Sequence, residues 1–235
     1  MTVSDSSALA PQVAVRLRRA VRRREAVLAG HQGDETAARA AFVDPDPQVR
    51  RAGLGALVRM GALTSEDFDA AVGDESPLVR RHVGELARSI SQLSGRQRVV
   101  SALKGMLDDE DATLVEAAAF GIGEAGLGEV MPMSPNDKAA LDALCNIACG
   151  HPDTLCRESA VVALGGTQSA EGLRALLHAM GDKPAVRRRC VISLGAYESD
   201  LALAAIERAL SDRDWQVRQA AQDMTGATRS GATPS

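Results

Sequence analysis

One phrase recurs along this chain and constrains its fold more than any other feature. Asp44-Pro-Asp-Pro-Gln-Val-Arg-Arg-Ala and Asp74-Glu-Ser-Pro-Leu-Val-Arg-Arg-His are two copies of it; Gly181-Asp-Lys-Pro-Ala-Val-Arg-Arg-Arg-Cys and Asp212-Arg-Asp-Trp-Gln-Val-Arg-Gln-Ala-Ala are two more, and weaker copies begin at Asp109 and His151. Taking one apolar residue of each copy as an anchor gives Val49, Val79, Leu114, Cys156, Val186 and Val217, at intervals of 30, 35, 42, 30 and 31 residues. A repeat of this period is the signature of stacked supersecondary units, each too small to bury its own apolar face.

The four and eight positions after each anchor are small or apolar, as in Gly53 and Leu57, Ala160 and Leu164, or Cys190 and Leu194. That is helical spacing. Another short amphipathic stretch precedes each anchor, for example residues 173–180 and 201–210, so each unit reads as helix, tight turn and second helix. Asp46-Pro47 and Ser76-Pro77 read as an N-cap followed by proline at the first helical position, and Ser94 with Gln97 as a capping box. No segment reads as a strand. Composition agrees: the chain is 45% apolar but 2% aromatic, which suits closely packed helices better than a sandwich or barrel.

The pattern Asp-x-x-x-x-Val-Arg-x-x-Ala-x-x-x-Leu-Gly resembles HEAT repeats, specifically the short HEAT-like repeats of phycobilin lyases, in six units over residues 34–226. The resemblance implies an all-α, right-handed α-α superhelix whose second helices line the concave side. It also implies a ladder tying each unit to its neighbour, drawn from the pairs Asp44 and Arg50, Asp74 and Arg80, and Asp212 and Arg218, each six residues apart, with each aspartate accepting from an arginine. Val115 stands where the third unit needs its arginine and His151 where the fourth needs its aspartate, so the ladder is expected to break there. Residues 11–29 are expected to form a capping helix through Val13, Leu17, Val21 and Leu28. Residues 126–137 form an inserted loop, with Ser134, Pro135 and Asp137 restarting the helix, and residues 1–10 and 227–235 are polar, expected to be disordered tails.

Chemistry is sparse. Cys145, Cys149, Cys156 and Cys190 all fall on core registers, so no metal and no cofactor is expected. The four histidines are followed by Gln32, Val83, Pro152 and Ala179, unlike the His-Glu pairs of the HEAT-like deoxyhypusine hydroxylases. The HEAT-like DNA glycosylases use an aromatic-lined cleft, and here Tyr197 and Trp215 stand alone; Trp215 is expected to cover the end of the core.

Charge is uneven: residues 1–106 carry a net +4 and residues 107–235 a net −8. Arg16, Arg18, Arg19, Arg22, Arg23 and Arg24 crowd one helix and form a possible basic patch. Arg51, Arg81, Arg88, Arg188 and Arg189 are the candidate binding residues of the concave face. No apolar run is long enough to span a membrane, and residues 1–7 lack a secretory start, so the expected location is the cytoplasm. The expected function is a non-catalytic scaffold for a protein partner. The alternatives are nucleic-acid binding through the basic half, and an enzyme of the glycosylase or bilin lyase kind.

Overall fold

A computed structural model describes the backbone of residues 5–129 and 132–231, and the side chains of residues 13–129 and 132–226. Fourteen helices and no strand are found among the described residues. The chain divides into two compact bodies between Ser94 and Gly95.

The N-terminal body holds α1 (Asp5–Gln32), α2 (Glu35–Phe42), α3 (Pro47–Met60), α4 (Ser65–Val72), α5 (Pro77–Glu85) and α6 (Ala87–Ser94). The C-terminal body holds α7 (Arg96–Lys104), α8 (Ala112–Glu124), α9 (Pro135–Gly150), α10 (Thr154–Gly165), α11 (Ala170–Ala179), α12 (Pro184–Leu194), α13 (Asp200–Ala209) and α14 (Trp215–Gly231). Local chemistry sets these boundaries. Asp34, Asp46, Thr64, Asp111, Ser134, Asp153, Ser169 and Ser199 each accept a backbone N–H at a helix start, and prolines open α3, α5, α9 and α12.

Second helices stack on one another: α1, α3 and α5 in the first body, α8, α10, α12 and α14 in the second, with a first helix packed against most of them. All six anchors are buried, none more than 1% exposed. Close approach depends on the absence of a side chain. A Cβ on Gly53 would lie 2.4 Å from the Phe42 backbone nitrogen, which is how α2 and α3 come together.

The ladder is present in a different pairing from the one expected. Arg50, Arg157 and Arg187 each donate to a backbone carbonyl of their own turn, and their remaining N–H groups fork onto the aspartate of the next turn. Arg50 donates to the Asp44 carbonyl (3.1 Å) and grips the Asp74 carboxylate at 2.8 and 2.9 Å. Arg157 does the same between the His151 carbonyl and Asp182, and Arg187 between the Asp182 carbonyl and Asp212. Arg187 belongs to the ladder although its spacing from Asp182 is one residue short. The aspartate also accepts the N–H two residues on, at Asp46, Ser76, Asp111 and Asp214.

The helix at the amino end differs from a simple cap. Val13, Leu17, Val21 and Leu28 are 59%, 64%, 47% and 41% exposed, while Ala26 and Ala29 are buried and Gly30 meets Ala56 of α3. Val21-Arg22 in fact repeats the anchor dipeptide, and Arg22 pairs with Asp44 at 3.1 Å as a ladder arginine would. So α1 stacks in the register of a second helix, with Val13, Leu17 and Val21 exposed along it.

Four more expectations are corrected. Helix α1 begins at Asp5 and α14 extends to Gly231, so of the expected tails residues 5–10 and 227–231 are helical; residues 1–4 and 232–235 lie outside the described residues. Ser94 ends α6 and makes no capping box: Gly95, at φ 86°, is the N-cap of α7, and Gln97 reaches Asp137 instead. Cys156 and Cys190 are buried, but Cys145 is half-buried and Cys149 exposed, because Leu144, Ile147 and Ala148 take the core positions of the long α9. Trp215 is 65% exposed and covers no core; of the two aromatics Tyr197 and Trp215 the buried one is Tyr197, whose hydroxyl donates to the Leu164 carbonyl at 2.8 Å. The inserted loop ends as expected, with the Ser134–Asp137 capping box, and Asp137 is buried under a two-bond grip by Arg96 at 2.7 and 2.9 Å.

Candidate functional site

Stacking second helices leaves a groove between neighbours wherever their facing side chains are short. In the N-terminal body such a groove, of about 340 Å³, runs across α1, α3 and α5. Its floor is Val27, Ala52, Gly55, Ala56 and Leu86, and its walls are Arg23, Gln48, Arg51, Arg59 and His82. Gly55 sets its depth, since a Cβ there would lie 3.3 Å from the His82 Nε2.

The walls are electrostatically unequal. Arg51 is tied to Glu85 at 2.8 Å, and Glu85 also takes Arg81 at 3.0 Å and the His82 Nδ1 at 2.6 Å. Burial pushes the His82 pKa down, and Arg51 and Arg81 add to this, against the opposing pull of Glu85; the ring is therefore neutral at pH 7. Glu85, despite burial that opposes ionisation, is held below the usual carboxylate range by His82 and Arg51. Arg23 and Arg59 have no carboxylate partner among the described residues and are exposed. The groove thus offers two uncommitted guanidinium groups above an apolar floor.

A second groove of about 280 Å³ lies between α12 and α14, lined by Arg188, Ile192, Trp215, Gln216, Gln219, Ala220, Asp223 and Met224. Counted from the anchors, both grooves use the same positions. Arg51, Arg188 and Gln219 stand at +2; Ala52, His82 and Ala220 at +3; Gly55, Ile192 and Asp223 at +6; Ala56, Leu86 and Met224 at +7. This register is the signal by which His82 and Leu86, not singled out in the sequence, could have been grouped; Arg59, ten residues after Val49, lies outside it.

The structure distributes the remaining candidates as follows. Arg81 stays on its own helix with Glu85, Arg88 is exposed on α6, and Arg189 lies 3.7 Å from Glu158. The six arginines of α1 do not act as one patch: Arg22 is held by Asp44 and Arg19 by Asp46, Arg23 walls the groove, Arg18 borders an exposed hollow with Val15, Leu17 and Val21, and Arg16 and Arg24 are exposed. Among the described residues no three His, Cys, Asp or Glu side chains are placed to hold a metal ion, and no helix is long and apolar enough to cross a membrane.

Helical hairpins in register, joined by half-buried arginine–aspartate rungs, define an all-α repeat protein of the solenoid class. A family model described as HEAT repeats matches residues 141–226, and the fold of the chain is that of a HEAT-like repeat array. No curated protein matches its sequence significantly. Among solved structures, an engineered protein from the Northeast Structural Genomics Consortium is similar with a TM-score of 0.55 at 15% identity, over 85% of this chain and 98% of that one. A chain from the Pds5–Scc1 complex is similar with a TM-score of 0.52 at 13% identity, over 82% of this chain. The present chain spans only 34% of that one. Human deoxyhypusine hydroxylase in complex with glycerol aligns at a TM-score of 0.35 and 17% identity, over 94% of this chain and 99% of that one.

Proposed function

We propose that this protein is a non-catalytic interaction scaffold that holds a segment of a protein partner against its second helices. The groove across α1, α3 and α5 is its principal site, and the segment is acidic with an apolar residue between its carboxylates. One observation carries this: Arg23 and Arg59, without carboxylate partners among the described residues, flank an apolar floor deepened at Gly55. Repeat arrays commonly bind on such faces, and one structurally similar chain was solved as part of a protein complex, Pds5–Scc1. Nucleic-acid binding is the weaker reading because Arg19 and Arg22, central to the basic helix, are engaged by Asp46 and Asp44.

The test is affinity capture from native cell extract with the wild-type chain and with the Arg23→Glu, Arg59→Glu double variant, with and without nuclease. Proteins retained by the wild type, lost by the variant and insensitive to nuclease support the proposal. Retention of the same proteins by both chains, or recovery of nucleic acid alone, refutes it.

A further inference from the structure

The stacking of second helices in the C-terminal body follows a two-point rule. Nine residues after each anchor stands a glycine on which the next second helix rests: a Cβ on Gly123 would lie 2.9 Å from the Ala163 backbone, one on Gly165 3.0 Å from Ser193, and one on Gly195 2.7 Å from Met224. One residue after the anchor stands the arginine whose fork takes the aspartate of the next turn, as Arg157 takes Asp182 and Arg187 takes Asp212.

Helix α14 carries both points with none of the described residues upon them. Arg218 is held by its own turn, donating to the Asp212 carbonyl at 2.8 Å and the Arg213 carbonyl at 3.1 Å, as every ladder arginine is. Its Nε and Nη2, which elsewhere form the rung, have no partner among the described residues. Gly226, nine residues after Val217, has no atom of the described residues within 4 Å of where its Cβ would be. On α13, Leu203 and Leu210 are 47% and 37% exposed, whereas Leu173 and Met180, at the corresponding distances from the N-cap serine of α11, are half-buried. The end face of the last hairpin therefore has the donor, the notch and the apolar residues of an interface that this molecule already forms internally.

We propose that this end face is a docking surface for a helical hairpin of a partner protein, one that presents an aspartate in the turn before its second helix. The aspartate accepts the Arg218 fork, and the helix that follows rests on Gly226. A second copy of this chain does not fit: the helix it would stack there is α1, and five residues before Val21, where the hairpins of α3, α5 and α14 carry their aspartate, stands Arg16. That would set arginine against arginine. The surface is separate from the groove across α1, α3 and α5, so the two proposals stand or fall independently.

The probe is a duplicate of residues 196–226 joined directly after Gly226, which repeats the junction of Gly195 with Ala196 and the 31-residue interval between Val186 and Val217. The extended chain should melt several degrees higher than the original, and amide exchange in α14 should slow. Arg218→Gln, Gly226→Leu, or Asn in place of the aspartate in the duplicate of Asp212, should each abolish most of that rise. A rise that is absent, or indifferent to these changes, overturns the proposal. The extended chain is also the blocked form in capture experiments. Partners bound at this face should be lost from the extended chain and from Arg218→Glu but kept by the Arg23→Glu, Arg59→Glu variant; capture that neither blocking nor Arg218→Glu reduces equally overturns it.

Discussion

Val115 and His151 depart from the repeat together. Val115 is buried where the neighbouring hairpins carry the ladder arginine, and His151 stands where the next turn carries the aspartate that such an arginine would hold. His151 keeps the other duty of that aspartate, its Nδ1 accepting the Asp153 N–H at 3.1 Å. The rung has been removed as a pair, which leaves neither charge stranded. Val115→Arg alone should therefore lower stability by about 3 kcal/mol, since it buries a guanidinium without its carboxylate. His151→Asp alone should cost less than about 1 kcal/mol, because the turn acceptor survives. The double variant should recover at least about 1 kcal/mol relative to Val115→Arg, a coupling that urea denaturation of the four proteins measures.

Arg187 and Asp212 form the most enclosed rung, with side chains 6% and 13% exposed. Arg187→Met should cost about 3 kcal/mol, because it strands the Asp212 carboxylate and takes a donor from the Asp182 carbonyl. The control is the pair Arg174 and Glu171, 3.6 Å apart with side chains 70% and 43% exposed, where Arg174→Met should change stability by less than about 0.5 kcal/mol. Equal effects at the two sites would show that the ladder does not hold the hairpins together.

The repeat made the hairpins legible because anchors and N-caps are local: Asp46-Pro47, Ser134 and the six anchors each announce their structure within a few residues. The ladder was legible in membership but not in pairing, since Asp44 and Arg50 are close in sequence whereas Arg50 and Asp74 meet only once the hairpins stack. The same limit hid α1. Its Val21-Arg22 copy sits within one long helix with no aspartate turn directly before it, so the contact with Asp44 reveals its register. The groove was half legible. Arg23 and Arg51 stood out as charges, but the floor consists of unremarkable small residues whose meaning comes from the register of two helices at once.

Small residues at the helix contacts should be intolerant of even one methyl group. Gly53→Ala places a Cβ 2.4 Å from the Phe42 nitrogen, a backbone atom that no rotamer change can move away, and should cost about 2–3 kcal/mol. Gly150 ends α9 with no atom within 4 Å of where a Cβ would sit and without a positive φ. Gly150→Ala should be neutral or raise stability by up to about 0.5 kcal/mol, through the smaller conformational entropy of the unfolded chain. Thermal melts of the two variants give opposite signs if packing, and not helix propensity, governs Gly53.

Stability should fall with acid in two separate windows. His82 is the origin of the upper one: burial holds its pKa below the ordinary value near 6.5, so the unfolded chain takes up a proton before the folded one does. Its contribution is complete above about pH 6.5 and declines as pH falls toward the folded value. The lower window belongs to Asp182 and Asp212. Hydrogen bonds from Arg157 and Arg187 outweigh burial and hold both carboxyls below the usual range. Their contribution is present above the unfolded value near pH 4 and is lost as pH falls through the folded one. Urea midpoints measured from pH 8 to pH 3 should show both declines. His82→Gln should flatten the upper one and change the lower only through Glu85, which loses its His82 hydrogen bond, whereas Arg187→Met should shrink the lower and leave the upper; a His82→Gln profile that matches the wild type between pH 7 and pH 5 would assign the upper decline elsewhere.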